Sequence, residues 1–475
     1  MNKQQQKFTL SLLVVLLAGC SMMPQYQRPE PPVPTVWPDT VKLKLAGEIK
    51  PKDWHDYFTD PRLQTLITVA LENNRDLRIA TARIAEARAQ YGIQRADQLP
   101  NINANAGRNA SLTPAGASGF SNNAIHTQRY DVNVSLVSFE LDFWGRVRSL
   151  SAAAKASYLS TEAAQRAFRL SLIADVANAY LSLQELHERT ELATATVKTR
   201  AESRMLLERR REVGVSSDLD FWQADGAYQS ALAELSNLER QQAAAANLLD
   251  MLLGQPLSKI QNLPTGRNLA AQSISSEPVS SLPAEVLLQR PDVMAAEQRL
   301  IAANANIGAA RAAFFPRIAL TGSVGTASRT LSGLFGAGSG AWSFQPTISL
   351  PLFDAGRNAS NLDVAAARKV AAVAEYEKTI QQAFREVADL LNAREKLAEQ
   401  LTAQQAAAQA QDQRLSLVNA RYQAGIDNYL ALLDAQREAF SAQQNTLQVQ
   451  RALLSTMAQL YKALGRDSSV DVDSK

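Results

Sequence analysis

The chain is poor in the residues that usually carry chemistry. Cys20 is the single cysteine among 475 residues, so no disulfide can form within one chain. His55, His126 and His187 are the only histidines, scattered and without ligand spacing, which leaves no metal site legible. Charge of one sign is missing as well. The net charge is +3, and removing Lys3 and Lys7 with a leader leaves +1. That is too little basic excess for nucleic acid. After residue 19 no apolar run approaches the length of about 20 residues that a membrane-spanning helix needs. No Gly-rich phosphate loop is present. No catalytic centre and no cofactor are expected, and an enzyme is the least supported class.

Two further absences organise the chain. Residues 146–213 contain no Gly and no Pro, and neither do residues 357–424; each stretch is 68 residues long. Ala, Leu, Arg, Glu and Ser fill them, so propensity favours helix throughout. At about 1.5 Å per residue each would be a rod of roughly 100 Å. Ordinary globular helices average about 11 or 12 residues. Gly214 ends the first rod and Gly425 the second.

The N-terminus reads as an export signal over residues 1–19: Lys3 and Lys7, then the apolar run from Leu10 to Ala18. That run is too short to span a bilayer. It ends in Leu17-Ala18-Gly19-Cys20, which resembles a bacterial lipobox and would make Cys20 an acylated, anchoring N-terminus. A plain signal peptide with an incidental cysteine is the alternative. Residues 20–58 are rich in proline and read as an extended tether. A helical period then runs from Leu71 to Gln98, ended by Pro100.

The period changes from helical to alternating after Pro100. Tyr130, Val132, Val134 and Leu136 alternate with Asp131, Asn133 and Ser135, and the phase flips near Val137-Ser138 before Phe139, Leu141 and Phe143. This predicts a strand with one apolar and one polar face, bulged or changing environment at the flip. Ile102, Ala104 and Ala106 offer a weaker partner, giving a hairpin over about 101–143. The rod at 146–213, a tip at 214 and a helix at 218–253 complete a first repeat, residues 59–254.

A linker, 255–282, precedes a second repeat, 283–465. Asp76, Arg83, Gly92, Arg95 and Pro100 recur as Asp292, Arg299, Gly308, Arg311 and Pro316, shifted by 216; Gly145, Arg146, Gly214 and Gly254 recur as Gly356, Arg357, Gly425 and Gly465, shifted by 211. Two constant offsets joined by one deletion mark an internal duplication. The second repeat has a hairpin at about 317–352, a rod at 357–424, a tip at 425 and a helix at 427–464; a tail covers 466–475. Pro346 and Pro351 predict a break or bend in its last strand.

Four strands are too few for a membrane barrel, since the smallest have about eight. An open edge in lipid would leave backbone groups unsatisfied. Several chains would therefore share one barrel, with Phe139, Phe143, Trp144, Trp342 and Phe353 as interfacial aromatics. A soluble sandwich with core aromatics is the other reading of the same alternation.

The sequence resembles the outer-membrane factors of tripartite efflux pumps, the OprM and TolC group, and within it the lipoprotein members. The most specific pieces are Leu282-Pro283 with Arg290-Pro291-Asp292-Val293, then Phe353-Asp354-Ala355-Gly356-Arg357, and the run from Arg421 through Gly425 and Leu430 to Arg437. The resemblance implies a mostly α, duplicated TolC-like fold with a small membrane β part. It implies a homotrimer with a twelve-stranded barrel in the outer membrane, continued by a periplasmic α-helical barrel, and working with a periplasmic adaptor and an inner-membrane RND-type transporter. The cargo would be drugs or toxic small molecules.

The same resemblance implies adaptor contact at Arg210, Gly214, Val215 and Ser216, and at Arg421, Gly425, Ile426 and Asn428. A gate is implied at Leu430 and Asp434, with Arg437 beside them. In a trimer Leu430 would form an apolar plug and Asp434 a ring of three carboxylates. Asp220 and Tyr422 match a tip latch. Asp427 stands where that latch has an arginine, and Arg421 or Arg437 could substitute. Two other readings stay open: a duct for secreted polypeptide or metal ions, and a periplasmic lipoprotein scaffold or adaptor.

Overall fold

The computed structural model describes residues 21–34, 53–115, 123–272, 274 and 284–465. The export signal, Cys20 and the tail 466–475 lie outside the described residues, as do parts of the tether, the first hairpin turn and the central linker. The chain divides into two compact units. A sheet unit comprises Met1–Glu30, Arg83–Glu162 and Ala295–Glu377; a tip unit comprises Pro31–Ala82, Ala163–Met294 and Lys378–Lys475.

The elements follow the duplication. A short helix α1 (Trp54–Tyr57) precedes α2 (Pro61–Asn73), α3 (Arg75–Ala96), β1 (Ile102–Thr113), β2 (Ile125–Glu140), α4 (Arg146–Glu212) and α5 (Asp218–Leu253). The second repeat supplies α6 (Pro291–Ala312), β3 (Arg317–Ser328), β4 (Gly340–Ser349), α7 (Arg357–Gln423) and α8 (Tyr429–Leu464). Both bounds of α3 recur in α6 shifted by 216, and both bounds of α4 and α5 recur in α7 and α8 shifted by 211.

The structure corrects three expectations. The helical period at 71–98 spans two helices rather than one. Asp60 caps α2 by accepting from the Arg62 N–H, with Pro61 at its first position, so helix starts ten residues earlier. Asn74 then interrupts it: its side-chain oxygen accepts from the Leu77 N–H and its amide donates to the Leu252 carbonyl. An Asn side chain competes with the backbone for such bonds. The last helix begins at Tyr429 rather than 427, because the Asn428 side chain caps it by accepting from the Ala431 N–H. Pro346 causes no break. It pairs with Leu320 inside β4 with no shift of register, and Pro351 lies past the end of the strand. β4 has one open side, which tolerates a missing N–H.

The four strands form one antiparallel sheet in sequence order. Its two faces differ in chemistry. One carries Ile102, Ala104 and Ala106 opposite Leu136, Val134 and Val132, and continues through Val324, Trp342 and Phe344. The side chain of Trp342 is 79% exposed on it. The other face is laced with hydrogen bonds: Asn105 donates to Ser135 at 2.8 Å, and hydroxyl pairs join Ser111 to Thr127 and Ser323 to Ser343, each at 2.7 Å. An apolar face left bare beside a hydrogen-bonded polar one is the pattern of a sheet between lipid and water. The phase flip is a bulge, where the β2–β3 register shifts between Leu136 and Phe139 and Ser138 takes φ of 47°. At the helical end, Trp144 stacks on Phe315 at 4.6 Å and donates to the Pro316 carbonyl. Glu140 is held there by Arg146 and Arg317, each at 2.7 Å.

The tether is extended but pinned to the sheet unit. Tyr26 donates to Glu297 at 3.0 Å, Arg28 grips the same carboxylate with two nitrogens, and Asn304 donates to the Pro24 carbonyl. In the tip unit the largest core gathers Phe58, Leu66, Ile67, Ile173, Tyr180, Leu249 and Leu269. Each such side chain contributes about 1.5–3 kcal/mol by leaving water. Buried Asp60 accepts from Tyr180 at 2.7 Å and from Gln272 at 2.6 Å, tying the linker to this core.

Candidate functional site

Both hairpin tips share one backbone solution. Gly214 and Gly425 have φ of 76° and 74°. Glycine reaches that region without steric cost. At the first tip the Gly214 N–H donates to the Arg211 carbonyl at 3.0 Å and the Val215 N–H to the Arg210 carbonyl at 2.9 Å; at the second, Gly425 donates to Tyr422 at 3.0 Å and Ile426 to Arg421 at 2.9 Å. These are the two bonds that satisfy the last carbonyls of a helix. The following helices are capped alike, by Ser217 and Asn428. Val215 and Ile426 project into solvent at 71% and 65% exposure. Arg210, Gly214, Val215, Ser216, Arg421, Gly425, Ile426 and Asn428 thus all lie on the two turns.

Beneath the turns the two hairpins are joined by one small core. Leu207 and Ala224 from the first pack with Tyr429 and Leu432 from the second, and Tyr422 lies against them. Burial pushes the Tyr429 phenol up to about 12. Arg200 is also buried, donating to the Ala227 carbonyl at 2.8 Å, and burial lowers its pKa from the usual arginine range.

The side chains at the positions expected to form a gate differ from a ring of bare carboxylates. Asp434 is clasped by Arg414 across the hairpin at 2.7 Å and by Arg437 on its own helix at 2.9 Å, and Arg437 also reaches Glu438 at 3.2 Å. Two acids and two guanidiniums balance, so the cluster is neutral within one chain. Leu430, one turn before Asp434, is 55% exposed. The latch also differs. Asp220 accepts from Ser216 and Ser217, and among the described residues no hydrogen bond joins it to Tyr422. Arg421 is instead gripped by Asp427 through two bonds of 2.8 and 3.0 Å, which lower the Asp427 pKa below the usual carboxylate range. Arg437 therefore pairs with Asp434, while Arg421 closes its own turn.

Arg414 and Tyr429 were not singled out by sequence reasoning. Arg414 lies eleven residues before Gly425 and Asp434 nine after it. Residues nearly equidistant from a helical turn meet across the hairpin, and counting from the glycine would have paired them. The same count pairs Arg204 with Asp225 at the first tip, which meet at 2.6 Å. Tyr429 carries no such signal, because its burial depends on the other hairpin. No metal-holding cluster is present among the described residues.

Two long helical hairpins related by duplication, and a four-stranded sheet with one apolar and one polar face, are the parts of a membrane-spanning duct. The sequence model of the outer membrane efflux protein family matches residues 66–255 and 282–466, and the chain belongs to that family. It is 43% identical to the outer membrane protein OprJ of Pseudomonas aeruginosa, over 96% of this chain and 94% of that one. It is 44% identical to the solvent efflux pump outer membrane protein SrpC of Pseudomonas putida, over 96% and 97%. The crystal structure of the open state of the Neisseria gonorrhoeae MtrE outer membrane channel aligns with a TM-score of 0.85 at 40% identity, covering 94% of this chain and 98% of that one. The protein is an outer-membrane exit duct of an efflux system and extends into the periplasm. Its family is a transport family.

Proposed function

We propose that three copies close one twelve-stranded barrel, that the two tips dock a periplasmic adaptor fed by an inner-membrane RND-type transporter, and that the second tip is the gate. The cargo is drugs or toxic small molecules; the relative SrpC is named for solvent efflux. The observation that carries the gate is the difference between the tips. Each tip has an exposed leucine, Leu219 and Leu430, and one ion pair across its hairpin, Arg204–Asp225 and Arg414–Asp434. Among the described residues only the second sets the clasped acid one turn after that leucine and holds it with a second arginine, Arg437. At the corresponding places the first tip has Ser203, Gln223 and Gly226 instead of Arg414, Asp434 and Arg437. A neutral clasp holds α7 against α8 without leaving net charge in the conduit. Opening requires it to yield, which exposes charge of both signs to passing solute. The family resemblance further supports acylation at Cys20, which would hold the N-terminus at the membrane.

Planar-bilayer recording tests the gate. Replacing Leu430 and Asp434 together with Ala removes the plug and leaves Arg414 and Arg437 to repel. Single-channel conductance is expected to rise several-fold, whereas Gln223→Ala leaves it unchanged. Equal conductance in all three proteins would remove the gate from the second tip.

A further inference from the structure

Among the described residues, the lipid-facing side of the sheet carries one arginine that the duct does not use. Arg108 stands on β1 in the alternation of Ile102, Ala104 and Ala106, directly opposite Tyr130. It is therefore on the apolar face, away from the hydrogen-bonded face where Arg129 sits beside Asp131. Its guanidinium lies over the Tyr130 ring at 5.6 Å from the centroid, within cation–π range. It donates to Gln128 at 3.2 Å, and the Gln128 amide in turn reaches the Tyr130 hydroxyl at 3.2 Å and the Arg329 carbonyl at 3.4 Å. Among the described residues no carboxylate pairs with Arg108. The ring and the amide thus aim a planar charge without neutralising it.

Its level on the sheet identifies the counter-ion. From Ile102 to Ala106 the outward positions of β1 and β2 are apolar; from Tyr130 toward the hairpin turn they become Tyr130, Gln128 and His126 on β2 and Ser328 on β3, with Leu112 alone staying apolar on β1 beyond Ala110. Arg108 is at that boundary, toward the strand ends away from the helices. A cation facing lipid is costly in hydrocarbon and favourable among anionic headgroups. A planar guanidinium matches a phosphate with two parallel hydrogen bonds. We infer that Arg108, positioned by Tyr130 and Gln128, is a binding site for the phosphate of an anionic lipid headgroup in the outer leaflet.

The test uses the purified full-length protein in detergent, with bis-phosphorylated lipid A and its dephosphorylated form as probes and native mass spectrometry as readout. The wild type should retain the phosphorylated form preferentially. Arg108→Gln should lower that retention about fivefold, Arg108→Lys by less, and Arg129→Gln on the opposite face not at all. Tyr130→Leu keeps the charge but removes its platform, and should also lower retention; it decides the matter should Arg108→Gln not assemble. Equal retention of both lipids, no loss in Arg108→Gln or Tyr130→Leu, or an equal loss in Arg129→Gln would each overturn the site. So would full displacement by inorganic phosphate, which would reassign it to a free anion.

Discussion

The two tips share one backbone and carry different chemistry. Their glycines, their turn bonds and their helix caps coincide at a constant shift of 211. Their side chains have diverged. At the first tip Arg211 covers the Phe221 ring at 4.0 Å and Arg204 binds Asp225. At the second, Tyr422 and Leu432 stand at the places of Arg211 and Phe221, and the charges have moved to Arg414, Asp434 and Arg437. A duplication supplied two equivalent turns. Equal backbones allow unequal function, because a turn constrains φ at one residue and little else.

The comparison can be broken most sharply at Tyr429. Tyr429→Ala removes a buried ring from the core that joins the hairpins, at a cost of about 3–4 kcal/mol. Asp218→Ala, at the same place on the exposed first tip, should stay within about 0.5 kcal/mol. Hydrogen exchange across residues 205–230 and 415–440 reads both, and equal loss of protection would mean that the shared core is not what holds the tips together. The glycines should behave alike. Gly214→Val and Gly425→Val each force a β-branched residue to positive φ, costing roughly 1–2 kcal/mol, and the two losses of protection should match. A difference between them would show that the backbones are not equivalent in the assembled duct.

Smaller effects separate the ion pairs. Asp434→Ala alone should raise conductance less than the pair with Leu430, since the proposed Leu430 plug would remain. Of the two turns, acid should loosen the second. The Asp427 pKa is lowered in the fold, so its contribution is present above the unfolded value and is lost as pH falls through the lowered one. Spin labels near Ile426 should therefore keep constant mobility from neutral pH down to about pH 4, the ordinary carboxylate range, and loosen only below it. Labels near Val215 should show no such step, because Ser216 stands where Asp427 does. A step at both tips would trace the acid response to something they share.

Much of this architecture was legible because its signals are local. A Gly-free and Pro-free stretch can only propagate helix over such lengths, and the glycine after it can only turn. The alternation in β2, and even its phase flip at Ser138, follow from the pleat. The break at Asn74 was hidden, since an Asn in a helical period becomes a cap only when its amide finds the Leu252 carbonyl. The two turns were legible, but the pairing of the charges near them was not. Asp434 read as a member of a ring of carboxylates because its principal partner, Arg414, lies on another helix.

Helix length, the two turns, the repeat and the two-faced strands are properties of neighbouring residues, and the amino-acid order alone determined them. Which charges are paired, where Tyr429 is buried, and that Pro346 can stand in a ladder depend on residues brought together from separate elements. Those were decided only by the tertiary structure, because an ion pair or a buried ring takes its energy from a partner the chain reaches by folding.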